Sequence, residues 1–421
     1  DFPFFDAGSH GSKTADLAMC CWKNSRVTGD VFAEPPPCPA AVSAETIKEI
    51  FGRAKQMQDK VGGTAGAELA HTSLPAEHWG LSRLQLLELA TQLHKMMETG
   101  DLTNRSRMEC RQRRIPYYDE EKFQDVDIGP TMHQVNAGYI QPTTLQKDAA
   151  HGIPCLSYAL HQNAYGLRCD LFISHAWSEG VFELCHTVDR SWPLQCVGAY
   201  ICSMANPQNL PELMSHLIQT PRESPFFRVL TTRPREMLMV ANSNVPIHSR
   251  LWCVYEAHCA KLLKISMSVV GDPAHFATNA SASQSALHAI RGAVEAKRRE
   301  LAIVAASEDA AMDMDIIAAG VYHRRLQRWE KRAQRQTAAA MQRMKRALDV
   351  RKAKCSSPED GAAILGEIGH DVEEINAMLC SLILQDQLQR VPSPGASGDR
   401  VKLTWYPGQD MIEGLAVMFG C

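Results

Sequence analysis

The sequence predicts a small α/β domain with a mainly parallel sheet, set between two mainly helical regions. Three observations carry this. CDLFISHAW, from Cys169, LQCVGAYICSMAN and REMLMVANSN (235 to 244) are continuous apolar runs. Segments of helical length separate them, as βα crossovers require. Each run also ends in polar residues: Ser174-His175-Ala176-Trp177, Ala205-Asn206 and Asn242-Ser243-Asn244. Open parallel sheets collect ligands beyond such carboxyl ends.

Along the chain, residues 1 to 164 read as a helical and irregular region, 165 to 275 as the α/β domain and 276 to 421 as a second helical region. The proline run EPPPCPA at 34 to 40 excludes helix interior and central strand. In LSRLQLLELATQLHKMM, Ser82 and Gln85 have capping-box spacing and Leu81 and Leu86 can form a hydrophobic staple. Leu84, Leu87, Ala90, Leu93 and Met97 then supply the expected apolar stripe. The polar stretch from Asp101 to Asp127 reads as a surface connection. Within the domain, EGVFELCHTV, PELMSHLIQ and SPFFRVLTT read as helices. KISMSVVGD (264 to 272) alternates as an edge strand would.

From Val321 to Lys354 there are 12 Lys or Arg against two acids, Glu330 and Asp349. Leu326, Trp329, Ala333, Ala340, Met344 and Leu348 form a broken apolar stripe there. Three roles fit this basic helix: a face packed on the acidic remainder, a self-association or partner helix, or an anionic contact. SSPEDGAAILGEIG (356 to 369) loosely echoes ASEDAAMDMDIIAAG (306 to 320).

Composition narrows the function classes. A net charge of -3 gives no strong nucleic-acid signal. No run of eighteen apolar residues marks a transmembrane segment. The first residues, DFPFFDAGSHGSKTADLAMC, lack the basic flank and apolar run of a secretory signal. They also lack an initiating Met, as a fragment or a processed chain would. The 14 cysteines include no C-x-x-C pair. Thiols in a reducing, cytoplasmic setting are therefore expected, and no metal site. No Walker-type or dinucleotide-fold glycine pattern appears, so kinase, GTPase and dehydrogenase chemistry have no foothold.

HSRLWCVYEAHCAK (248 to 261) holds the candidate catalytic residue. With Ser249 as N-cap, Leu251, Tyr255, Cys259, Trp252 and Leu263 share one arc of the helix, and Arg250, Lys261 and Lys264 lie opposite. Glu256 borders the apolar arc, at about 340° on a 100° wheel. A carboxylate so placed needs a donor. Either it is a structural glutamate held by an amide or hydroxyl, or it faces a cleft shared with the strand ends.

DLFISHAW, MLMVANSN and HSRLWCVYEA resemble motifs of the Toll/interleukin-1 receptor (TIR) family, with AYICSMANPQ similar to its second strand. The resemblance is closest to TIR-like domains of protist and algal proteins and covers about residues 165 to 275. It implies a small flavodoxin-like parallel sheet with flanking helices. It also implies either a non-catalytic signalling or assembly module, with self-association or protein partners, or cleavage of the nicotinamide-ribose bond of NAD. In the second case Glu256 is the key carboxylate and NAD is the substrate, with no resident cofactor required. His175, Trp177, Ser249 and Trp252 would line the nucleotide site: Trp177 stacking on a base unless it is core, His175 donating to a phosphate unless it caps the strand. NPQNLPEL lacks the glycine-bearing loop usual after the family's second strand.

Overall fold

The computed structural model describes residues 42–102, 123–271, 348–355, 357–385 and 403–405, with isolated positions between 331 and 346. The architecture is a mixed α/β fold whose central sheet is flanked by helices on both faces, with further helical regions outside it. The sheet has six strands: β1 (Leu81–Ser82), β2 (Leu171–Ser174), β3 (Gly198–Ile201), β4 (Glu236–Val240), β5 (Ser266–Val270) and β6 (Leu403–Trp405). They lie in the order β1-β3-β2-β4-β5-β6. The four inner strands are parallel, with Leu171 opposite both Ala199 and Glu236, and Val240 opposite Val270. Both edge strands are antiparallel and come from distant sequence.

The period-two pleat sorts the strand side chains into two cores. Phe172, Tyr200, Met237, Met239, Met267 and Val269 point to one face. Leu171, Ile173, Ala199, Ile201, Leu238, Val240 and Val270 point to the other. Helices cover both, which is why β2, β3 and β4 are largely apolar instead of alternating.

The helices used below are α1 (Ala44–Val61), α2 (Ala65–Ser73), α3 (Arg83–Glu98), α4 (Met132–Val135), α5 (Gln141–Thr144), α6 (Tyr158–Gln162), α7 (Val181–Ser191), α8 (Cys202–Ala205), α9 (Pro211–Leu217), α10 (Pro225–Thr231), α11 (Leu251–Leu262), α12 (Pro358–Ile368) and α13 (Val372–Gln385). Ser43 caps α1, and α1 and α2 pack as a pair beside the first core. α3 opens on the expected capping box: the Ser82 hydroxyl accepts from Gln85 N at 3.2 Å while the Gln85 side chain accepts from Ser82 N at 2.9 Å. α3 and α7 cover the second core. Gly180, before α7, touches the 128–131 segment so closely that a Cβ would come 2.1 Å from the Ile128 carbonyl oxygen.

Three expectations need correction. The stripe of α3 is rotated: Leu86, Leu89, Ala90, Leu93 and Met96 are buried, whereas Leu84 is 64% exposed. Leu81 and Leu86 enter the second core together, and that anchoring sets the inward face. The 264–272 segment is not an edge, because β6 pairs with β5 and four of its five residues are buried.

The third concerns α11. Tyr255, set by the wheel on the arc opposite Lys261, meets the same C-terminal helices as Lys261, because α12 and α13 pack across both. Tyr255 Oη donates to Glu367 at 2.8 Å, Lys261 pairs with Glu374, and His258 lies 3.5 Å from Asp371. The chain just before α12 joins in: Leu251 N donates to Lys354 O, and Lys354 N to Ser249 O. α12 begins at the expected start, with the Ser357 hydroxyl accepting from Asp360 N at 3.1 Å. The partner of that echo, 306 to 320, lies outside the described residues, as do most of the basic helix and most of the polar connection. Leu348, at the end of the basic stretch, is buried. No helix among the described residues is long and apolar enough to cross a membrane.

Candidate functional site

Strand order reverses between β2 and β4: the chain leaves β2 for β3 on one side, then returns to the other. The crevice beyond the carboxyl ends at such a reversal is the usual ligand position in an open parallel sheet. Here β2 runs into Ser174-His175-Ala176-Trp177 and β4 into Ala241 to Asn244, and α11 follows the second rim. Glu256 sits in the second turn of α11 and is only 5% exposed. The Ser174 hydroxyl donates to its Oε2 at 2.5 Å. Burial pushes the carboxyl up to about 7, against the downward pull of that hydrogen bond and of the nearby His175. The Cys253 thiol of the same helix donates to the His175 carbonyl at 3.4 Å, tying α11 to the end of β2.

His175 is the second centre of the rim. Its Nδ1 lies 2.7 Å from Glu179 Oε1, across the turn that follows β2, and both side chains are fully buried. Its Nε2 lies 3.3 Å from Cys202 Sγ and 3.3 Å from Ser203 Oγ, at the start of α8. Burial opposes a charged ring, but the Cys202 sulfur and the Glu179 carboxylate outweigh it and hold His175 well above the ordinary histidine value. Burial likewise lifts Glu179 to about 7 despite His175.

The outer wall is fixed by hydrogen bonds. Glu183 accepts from Ser243 N at 3.0 Å and from its hydroxyl at 2.8 Å. Asn244 Nδ2 donates to Ser178 O at 2.9 Å, and Asn242 Oδ1 accepts from Asn244 N and Val245 N. His133, in α4, leans on Trp177 with ring centroids 5.3 Å apart. Burial, reinforced by Arg250 and His175, takes the His133 ring down to about 4, so it is neutral.

Of the expected site residues, the structure brings together Glu256 and His175, with Trp177 half-buried beside His133. Ser249 is not the N-cap. It ends a 3-10 turn, Ile247–Ser249, and its hydroxyl donates to Pro246 O at 2.7 Å, leaving Arg250 in the cap position. Trp252 packs on Phe226 at 5.1 Å and Tyr255 at 6.0 Å.

Sequence reasoning missed Glu179, Glu183 and Cys202. The meeting of His175 and Glu179 depends on the turn after β2, which their spacing alone does not reveal; Cys202 needed the neighbouring of β2 and β3. Among the described residues no group of three His, Cys, Asp or Glu could hold a metal ion. A cavity of about 150 Å³ lies elsewhere, lined by residues that include His71, Trp79, Leu217 and Arg228.

The rim can do two kinds of chemistry. It can present a carboxyl group that is half-ionised near neutral pH, and it can pass a proton between sulfur and imidazole. Compared with known family models, curated proteins and solved structures, the chain matches none.

Proposed function

We infer that the chain is a TIR-like signalling or assembly module in which Glu256 serves the fold. The observation that carries this reading is the closure of the carboxylate: 5% exposed, with Oε2 taken by Ser174 at 2.5 Å. That is how a buried structural glutamate satisfies its need for a donor. Support for the TIR-like character comes from strand order. Counting the parallel strands alone, second-first-third-fourth is the order of a flavodoxin-like sheet, and the Trp-Cys-x-x-Glu helix follows the third.

The test is nicotinamide release from NAD, followed by chromatography for wild type and Glu256→Gln, both dilute and concentrated. The reading expects no release above background from either. Release by wild type that the glutamine variant loses by a hundredfold or more would replace it with glycosidic cleavage.

Assembly has its own measurement. Because Leu348 and Val350 are buried and Lys354 pairs with Ser249 and Leu251, the informative deletion is 321 to 347. It is expected to lower the mass seen by light scattering at low salt. A full chain that stays monomeric at every concentration, unaffected by the deletion, would remove self-association through that segment.

The second reading, NAD cleavage, is favoured by one specific observation. Glu256 stands at the reversal of strand order, where a carboxylate could hydrogen-bond ribose hydroxyls and offset the charge growing on the sugar. It requires the rim to open and Ser174 to release Oε2.

A further inference from the structure

We propose that Cys202 is a nucleophilic thiol, armed by His175 and Glu179, that reacts with hydroperoxides. Residues from two neighbouring strand ends meet to form it. Cys202 follows β3 and His175 follows β2, with Glu179 four residues beyond. The distances run 3.3 Å from sulfur to Nε2 and 2.7 Å from Nδ1 to the carboxylate. Imidazole beside sulfur can take the thiol proton, and the Glu179 carboxylate lies against Nδ1 as a charge partner that favours the protonated ring, without the alignment of a hydrogen bond.

Ser203 lies equally close to Nε2, at 3.3 Å, but it is fully buried. Cys202 keeps part of its surface open, and that difference separates the thiol from the hydroxyl as candidates. Among the described cysteines only Cys202 and Cys355 are partly exposed. Those buried in the core are a different population. Burial pushes the thiols of Cys169, Cys185, Cys253 and Cys259 upward, so they stay protonated and inert.

The reagent class follows from what this arrangement supplies. Acyl transfer asks for donors on a developing oxyanion. Displacement at a peroxide oxygen asks only for a thiolate and a proton for the departing oxygen. Here the Cys202 proton passes to His175 Nε2 and the thiolate attacks one oxygen of hydrogen peroxide. The S–O bond forms as the O–O bond breaks, and the departing hydroxide takes the proton from His175 and leaves as water. Sulfur is oxidised by two electrons to the sulfenic acid, and the peroxide is reduced by two.

The experiment uses the full chain, brief pulses of hydrogen peroxide, a cyclic-diketone trap for sulfenic acid, and mass spectrometry of the cysteine peptides. Cys202 is expected to be trapped at least tenfold faster than Cys355 in the same molecules. His175→Asn should bring the rate at Cys202 down to that of Cys355. Glu179→Gln, at the positioning residue, should slow Cys202 while leaving Cys355 unchanged, which a general loosening of the fold would not do. Equal rates at the two cysteines of the wild type overturn the proposal, whether or not the variants fold. So does a Cys202 that is alkylated quickly by iodoacetamide yet left as a thiol by peroxide.

Discussion

The two faces of α11 carry similar groups in opposite circumstances. On the outer face Tyr255, His258 and Lys261 meet Glu367, Asp371 and Glu374 of the C-terminal helices. Asp371 and Glu374 keep 42% and 61% of their side-chain surface open, so water shares the charge. On the inner face Glu256 looks into the sheet rim with a serine hydroxyl as its donor, and burial lifts its carboxyl to about 7. One helix thus has a side whose charged partners on the C-terminal helices stay largely in water although Tyr255 and His258 are themselves buried, and a dry side where a single carboxyl costs the fold whenever it ionises.

The sharpest way to break this contrast is the pH dependence of Glu256→Gln. In the folded chain the group is raised from 4.5 to about 7. Its contribution to stability is therefore fully present below the unfolded value and is lost as pH rises through about 7. Glutamine does not titrate. The variant should gain on wild type by about 3 kcal/mol between pH 4.5 and pH 8, from about 1.4 kcal/mol for each unit of raised pKa. Urea unfolding of both proteins at several pH values measures the gap. A gap that stays flat across that range would show that the inner face is not dry.

Much of this arrangement was legible in the sequence, and the limits have physical causes. β2 and β4 were visible as apolar runs because helices cover both faces of the sheet. Ser82 and Gln85 announced α3 because capping is local chemistry. β1 and β6 were not visible: strands of two and three residues carry no period of their own and exist only because β3 and β5 offer open edges. The inner face of α11 was readable from the misfit of Glu256 among apolar residues. The outer face was not, because lysines beside acidic helices have the same spacing as lysines beside water. Ser174 could be named as a rim residue, but its bond to Glu256 depends on how α11 returns across the sheet. Cys202 lay unnoticed in a quoted run, since its meaning comes from β3 lying beside β2.

The smallest expected effect belongs to the outer face and tests the contrast from the other side. Lys261 pairs with Glu374 while the glutamate keeps 61% of its side-chain surface open. Such a pair gains little over hydrated partners, because holding two long side chains together costs entropy and salt screens the attraction. Lys261→Ala should therefore change unfolding stability by about 0.5 kcal/mol or less, and by less still in high salt. It should also leave the pH profile between 5 and 8 unchanged, because it removes no group from the dry side. A loss above about 2 kcal/mol would put this pair in the range of a broken buried ion pair. The Lys261–Glu374 pair would then be as dry as the inner face, and the charged rim would add to the apolar core that α12 and α13 already share with α11.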